Sequence, residues 1–532
     1  MKKYKYIIIG AGSAGCALAN RLSKDPDCNV LLLEAGPADK STKISMPMGA
    51  SSLFKDKKFG WSYESLKQKN LHNRSINSPR GKTLGGSSST NGMVYIRGQA
   101  NDYDKFSQNG CYGWSYAELL PLFRSIENNQ EITNQFHGNF GDVWVDKHNY
   151  SLPISDLFIK AVEEAGIKQT NDFNGSDQEG VGYYQVNIKN GKRFSSADAF
   201  LKPIKDRQNL EVLCNAHVHK IVISNRKAIG VIYSINGKRL TAMCDSEIVL
   251  SAGSINTPKI LNLSGIGDPA DLNKIGIEPL IPNKNVGKNL QDHLTVNISA
   301  SVDGYSTFYE ELRGINVIKH LINYYMNKPS LFSYAAADVG VFFKLDENSE
   351  NPDFQVHFAP GAGEYHKDGK MRPIHGITAS VCQLKPFSKG SIKLKSSDYF
   401  DSPIIDYGYL NDERDTEILL EGIKIVRTFF KTNIMKELNA KEIAPGEEIK
   451  NSDMLKNFLK STALSVYHPV GTCKMGLDSS SVVDPELRVH DVKNLRVADA
   501  SILPELISGN TNAISNVIGI KCADMILGNQ AS

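Results

Sequence analysis

The sequence predicts an α/β chain, α+β in its overall balance, in which a domain on a parallel sheet is interleaved with a second domain on an antiparallel sheet. Residues 7–34 run from an apolar strand through a glycine-rich turn and a helix-length segment into Val30-Leu-Leu-Leu-Glu34, which is a βαβ pattern. The run Glu247-Ile-Val-Leu-Ser-Ala-Gly253 is continuously apolar and closes on small residues, as a strand buried on both faces does. From about residue 300 to 464 the texture changes to alternating strands, such as Asp353-Phe-Gln-Val-His-Phe358 and Gly390-Ser-Ile-Lys-Leu-Lys395.

The first unit carries the spacing of a Rossmann-like dinucleotide site, Gly10-x-Gly12-x-x-Gly15. Gly10 permits the tight turn out of the strand. Gly12 lets backbone approach a pyrophosphate held by free N–H groups at the helix start, around Ser13 and Ala14, and Gly15 lets helix and strand pack closely. Glu34 lies 19 residues after Gly15, close to the roughly 20 expected of a carboxylate that accepts from ribose hydroxyls. An acid there disfavours a 2′-phosphate, and both NAD and FAD fit this unit taken alone.

Residues 36–75 lose periodicity and read as a long connection anchored by Trp61 and Tyr63. The stretch Pro79-Arg-Gly-Lys-Thr-Leu84-Gly-Gly86-Ser-Ser-Ser-Thr90-Asn91-Gly92-Met93-Val94-Tyr-Ile-Arg-Gly98 reads as backbone laid against a ligand, because interleaved apolar residues set it apart from a flexible linker. Helices are expected over 115–127 and over 155–166, the latter with Ser155 as N-cap. Strands dominate 210–251, and a helix is expected from Asn256-Thr257-Pro258 with proline in its first turn. Further helices are expected near 312–327, 412–431 and 452–461. Asn494-Leu-Arg-Val-Ala-Asp499-Ala500 reads as a short strand ending in an acid, followed by Ser508-Gly-Asn510-Thr-Asn512 and a last helix with Ile514, Val517, Ile518, Cys522, Met525 and Ile526 at helical spacing.

A chain of 532 residues with 41% hydrophobic content exceeds one core and is expected to divide. The assigned division is 1–155, 195–300 and 465–532 to the nucleotide domain, and 156–194 and 301–464 to the second. A net charge of +3 from 61 basic and 58 acidic residues points away from nucleic acid and leaves a peripheral membrane contact open. The eight cysteines are scattered without a C-x-x-C pair, so neither a disulfide scaffold nor a metal site is expected, and reduced thiols fit a cytoplasmic protein. His217 and His219 alternate on a strand without completing a ligand set, and are read as surface or core residues. Three strongly apolar residues, Ile7 to Ile9, are too few for a signal peptide, and no stretch of transmembrane length follows.

Four separated segments together resemble the glucose-methanol-choline (GMC) family of FAD-dependent oxidoreductases nearly end to end. They are the N-terminal unit, Pro79 to Gly98, the segment from Gly253 to Gly267, and Tyr467-His468-Pro-Val-Gly-Thr-Cys-Lys-Met-Gly476 with Asn510-Thr-Asn512 downstream. Val286-Gly-Lys-Asn-Leu-Gln-Asp-His293 makes the chain most similar to the bacterial choline dehydrogenase and acceptor-linked alcohol dehydrogenase members.

The resemblance implies that a primary alcohol, choline-like or aliphatic or aromatic, is oxidised to its aldehyde. His468 is the implied general base and Asn512 its catalytic partner, holding the substrate oxygen through its amide. Implied FAD contacts are Gly10, Gly12, Ser13, Ala14, Gly15, Glu34, Ala35, Leu84, Gly86, Asn91, Gly92, Met93, Val94, Val218, Asp499, Ala500, Asn512 and Ala513. Thr90 stands where some relatives carry a histidine bonded to the flavin, so FAD is expected to be non-covalent. Ile514-Ser515 replaces the usual Pro-Thr and is expected to bear on where the last helix starts. A quinone or O2 accepts the electrons, peripheral attachment to the inner membrane stays open, and so does the oligomeric state. The alternative is a non-oxidative member, a lyase or a fatty-acid photodecarboxylase, since fold does not determine function.

Overall fold

The computed structural model describes residues 2–365 and 371–528. Its first layer is a seven-stranded sheet ordered Leu210–Leu213, Val30–Leu33, Lys3–Ile9, Lys238–Leu250, Lys227–Ile235 and His217–Ser224, with Leu495–Val497 also on Lys238–Leu250. The strands around Lys3–Ile9 are parallel, and the 217–250 meander is antiparallel. Val30–Leu33 is wholly buried, and so are Ile248 to Leu250, which explains why both read as unbroken apolar runs. The helix Ser13–Leu22 packs directly on the last helix, Asn512–Leu527, where a Cβ on Gly519 would stand 2.2 Å from the Ala14 carbonyl oxygen.

A second seven-stranded sheet is antiparallel throughout, ordered Lys441–Ala444, Leu294–Ser301, Ile377–Gln383, Phe354–Ala359, Val339–Phe343 and Gly180–Tyr183, with Leu464–Ser465 also on Leu294–Ser301. Helices Glu413–Phe429 and Pro153–Glu164 close its core through Leu419, Ile423, Val426, Phe158 and Val162. Leu294–Ser301 belongs to this sheet, so the expected boundary at 300 falls inside a strand of the second layer.

Several expected elements are displaced for identifiable reasons. The helix expected at 155 begins at Pro153, whose fixed φ favours the first helical position, and Ser155 instead donates its hydroxyl to Asp338 Oδ2 at 2.7 Å. The helix expected at Asn256 begins at Gly253, because Asp499 Oδ2 accepts from Gly253 N–H at 2.9 Å and from the Thr257 hydroxyl at 2.6 Å. Pro258 therefore lies inside that helix, and the Ser254 carbonyl it leaves without an N–H accepts from the Thr472 hydroxyl at 2.6 Å. Residues 36–75 are not a plain connection. They contain short helical turns and the strand Gly60–Glu64, which pairs antiparallel with Asn77–Gly81. The last helix still starts at Asn512 despite Ile514-Ser515, with Ile514 in the core and the Ser515 hydroxyl donating to the Thr511 carbonyl at 2.7 Å.

Candidate active site

One cavity of about 750 Å³ runs between the two layers, from the glycine turn to His468. At its nucleotide end Gly10 has a φ of +101°, which a side chain rarely adopts, and a Cβ on Gly15 would collide with the Gly10 carbonyl oxygen at 1.9 Å. A Cβ on Gly12 would meet only one neighbour, at 3.9 Å, so that face is open to the cavity. The helix that follows has no side-chain cap, which leaves its first-turn N–H groups available. Gly86, with φ +53°, brings a second loop so close that its Cβ would stand 2.7 Å from Gly12 Cα.

Glu34 closes this end. Burial raises its pKa to about 7, and it accepts from Ala11 N–H at 3.0 Å and Gly36 N–H at 2.8 Å. Those bonds leave carboxylate lone pairs free for further donors. Asp499 also lines the cavity; burial raises its pKa, and it accepts from Gly253 N–H, the Thr257 hydroxyl and Ser501 N–H.

The opposite end is organised by His468. Tyr467 precedes it in a left-handed conformation, φ +66°, and its carbonyl accepts from Arg80 at 2.8 Å. The His468 N–H donates to Asp292 Oδ1 at 2.6 Å, while Asp292 Oδ2 accepts from the Tyr409 and Ser465 hydroxyls. The His468 ring lies between two partners, with Nδ1 3.0 Å from His293 Nδ1 and Nε2 3.2 Å from Asn510 Nδ2.

This chain of contacts assigns the protons. His293 Nε2 lies 3.0 Å from the Leu384 carbonyl, an acceptor only, so Nε2 carries the hydrogen. Burial holds His293 at about 4 and therefore neutral, which makes its Nδ1 an acceptor. His468 must then donate from Nδ1. Its Nε2 is left with a lone pair, accepting from Asn510 and facing the cavity. Burial first, then the neighbouring His293, His357 and Arg80, hold His468 well below the ordinary histidine value of 6.5, so its base form prevails at neutral pH. Asn510 Oδ1 accepts from Gln355 at 3.3 Å, which turns the amide N–H groups toward His468 and the cavity.

The sequence-predicted residues fall on the cavity wall with the exceptions of Gly15, Leu84 and Ala513. Gly15 and Ala513 are buried, Gly15 within the first helix and Ala513 in the core of the first layer, and Leu84 packs against that core. Asn512 is on the wall but is not the partner of His468: its amide donates to Ser13 Oγ at 2.8 Å, tying the two packed helices together. The facing amide is Asn510, because the chain turns into the helix at Asn512 and only the residue two positions earlier lies across from the imidazole. Sequence reasoning also passed over Asp292 and His293, although both stand in the quoted Val286–His293 segment. His357 was passed over too; it lines the cavity with Nε2 unbonded within the protein and is held neutral by burial at about 4. His217, read as a surface or core residue, lines the nucleotide end instead.

The comparisons with known proteins converge on one family. Models described as GMC oxidoreductase match residues 4–295 and 386–519. The chain is 42% identical to an alcohol dehydrogenase (acceptor) of Pseudomonas putida, covering 98% of this chain and 96% of that one. It is 36% identical to the mitochondrial choline dehydrogenase of Homo sapiens, with 99% and 90% covered. Among solved structures, pyridoxine 4-oxidase from Mesorbium loti superposes with a TM-score of 0.89 at 27% identity, covering 99% of this chain and 100% of that one. Formate oxidase superposes with 0.91 at 26% identity, with 99% of each chain covered. With its glycine turn, its acid-closed cavity and a neutral histidine at the far end, this chain belongs to the GMC family of FAD-dependent oxidoreductases that act on alcohols.

Proposed function

We propose that the chain oxidises a neutral, largely apolar primary alcohol to its aldehyde, with His468 as base and Asn510 as holder of the alcohol oxygen. The observation that carries this reading is the chain of contacts from the Leu384 carbonyl through His293 to buried His468, which leaves His468 Nε2 as an acceptor on the wall of the cavity.

The residues present fit FAD. Gly12 and Gly86 keep a narrow spine clear, Glu34 retains acceptor capacity at one end, and Asn510, just before the last helix, faces His468 at the other. Gly10, Gly12, Ser13 and Ala14 would hold the pyrophosphate, Glu34 and Ala35 the ribose, Val218 the adenine side, and Asn91 to Val94 with Asp499 and Ala500 the flavin half. When bound, FAD supplies the hydride acceptor. His468 Nε2 takes the hydroxyl proton, and the resulting imidazolium is braced through Nδ1–H by His293. Asn510 Nδ2 donates to the alcohol oxygen as negative charge develops there. Thr90, on the wall, offers only a hydroxyl, which fits a non-covalent cofactor.

Glu34 and Asp499 are the carboxylates among the lining residues, and both are engaged by backbone N–H groups. Beside His468 the lining residues Val466 and Tyr467, with Phe54 edge-on to Tyr467 at 5.3 Å, offer no anion to a quaternary ammonium and favour aliphatic or aromatic alcohols over choline. Anaerobic addition of a medium-chain or aromatic alcohol should bleach the flavin absorbance, with choline much less effective. His468→Ala should retain flavin and lower the bleaching rate by at least about a hundredfold. Unchanged bleaching in that variant would remove His468 from the reaction.

A further inference from the structure

The helix Gly314–Tyr325 carries its apolar face outward. Ile315, Ile318, Leu321, Ile322, Tyr325 and Met326 are 75, 51, 41, 54, 67 and 57% exposed. Their spacing makes one stripe along the helix. The inward face is polar: buried His320 sits 2.8 Å from Glu311 Oε2 and accepts from Leu331 N–H, and Asn316 donates to the Glu310 carbonyl. Single exposed apolar residues are ordinary, but a contiguous stripe of this kind marks a contact surface.

The stripe leads to the cavity. Leu312, just before the helix, and Phe54, on another segment, are both lining residues and both exposed, so they form its apolar mouth. The segments that carry this face and mouth are basic. Lys319 is on the helix, Arg313 and Lys328 flank it, and Lys55, Lys57 and Lys58 follow Phe54. Among the described residues none of these six makes a salt bridge, whereas of the nearby acids Asp56 is paired with Lys43, and Glu310 and Glu311 are held by hydrogen bonds to His375 and His320. An apolar stripe beside cations that no carboxylate neutralises complements the acyl boundary and the negative headgroups of a bilayer.

We propose that this helix, with Phe54 and Leu312, docks on the surface of an anionic phospholipid bilayer and turns the cavity mouth toward the membrane. Lipophilic alcohols then reach His468 from the bilayer without crossing water; this consequence rests on the alcohol-oxidation reading, while the docking itself does not.

Flotation of the flavin-loaded protein with vesicles tests it. Phosphatidylcholine vesicles with about 30% phosphatidylglycerol should carry the protein up, and pure phosphatidylcholine should carry much less. Ile318→Asp with Ile322→Asp should lower partition at least about tenfold, because it removes apolar insertion. Lys319→Glu with Lys328→Glu should abolish the preference for anionic vesicles. Ile315→Asp alone, at the most exposed position, gives a weaker loss and guards against misfolding of the double variant. All should keep flavin content and turnover of a short water-soluble alcohol. Wild-type protein that stays unbound to every vesicle would overturn the proposal, and so would a double variant that floats like wild type. A wild-type dimer that the double variant dissociates, seen by light scattering, would also overturn it by making the stripe an interface between copies. Vesicle binding without any alcohol turnover would uphold the docking and sink the alcohol-oxidation reading alone.

Discussion

The proton arrangement at His468 is a property of single residues. Because burial disfavours the imidazolium, the base form persists below the usual histidine range. The sign follows: activity requires the unprotonated ring, so kcat/KM for an alcohol should be level from neutral pH down past 6.5 and fall only as pH drops through the lowered value. A profile that declines around 7 would contradict the assignment. Asn510 and Asn512 separate two roles that the sequence motif leaves side by side. Asn510→Ala removes the donor facing His468 Nε2 and should cost about a hundredfold in kcat/KM, in the range seen when one such donor is lost. Asn512→Ala removes a helix-to-helix tie and should cost far less, with steady-state kinetics deciding between them. The motif Asn510-Thr-Asn512 was legible; which asparagine faces the imidazole was not, because that depends on where the last helix begins against another segment of the chain.

At the scale of elements, the glycine turn and the loop around Gly86 form one device. Each is short of side chain where the other approaches, and Gly86 also needs its left-handed φ. Gly86→Ala should therefore force the loops apart at a cost of about 1–3 kcal/mol. It should also lower the flavin-to-protein absorbance ratio of purified protein; full flavin occupancy would show that the contact is dispensable. Long periodic elements were readable from sequence, as at Tyr116–Ile126, Glu413–Phe429 and Ser452–Thr462. Their start points were less so. Gly253–Leu263 begins three residues early because a carboxylate nearly 250 residues away caps it, and no local pattern carries that information.

At the scale of the whole molecule, the cavity is a joint product of two layers, with the glycine turn and Glu34 from one and the surroundings of His293 and His357 from the other. Flavin held across such a joint should stabilise the fold. At a thousandfold excess over its Kd it adds about 4 kcal/mol, so flavin-free protein should melt several degrees lower. Acid precipitation should release the flavin into the supernatant, and colour retained in the pellet would contradict a non-covalent cofactor. By itself the sequence determined the βαβ unit, the layer types and the family, because these rest on local periodicity and on spacings within short segments. Only the tertiary structure decided that His293 accepts the Nδ1–H hydrogen bond of His468, that Asn510 rather than Asn512 faces it, and that the helix Gly314–Tyr325 turns its apolar side outward. Each of these depends on which residues meet across hundreds of positions, and on which face of an element finds a neighbour to bury it.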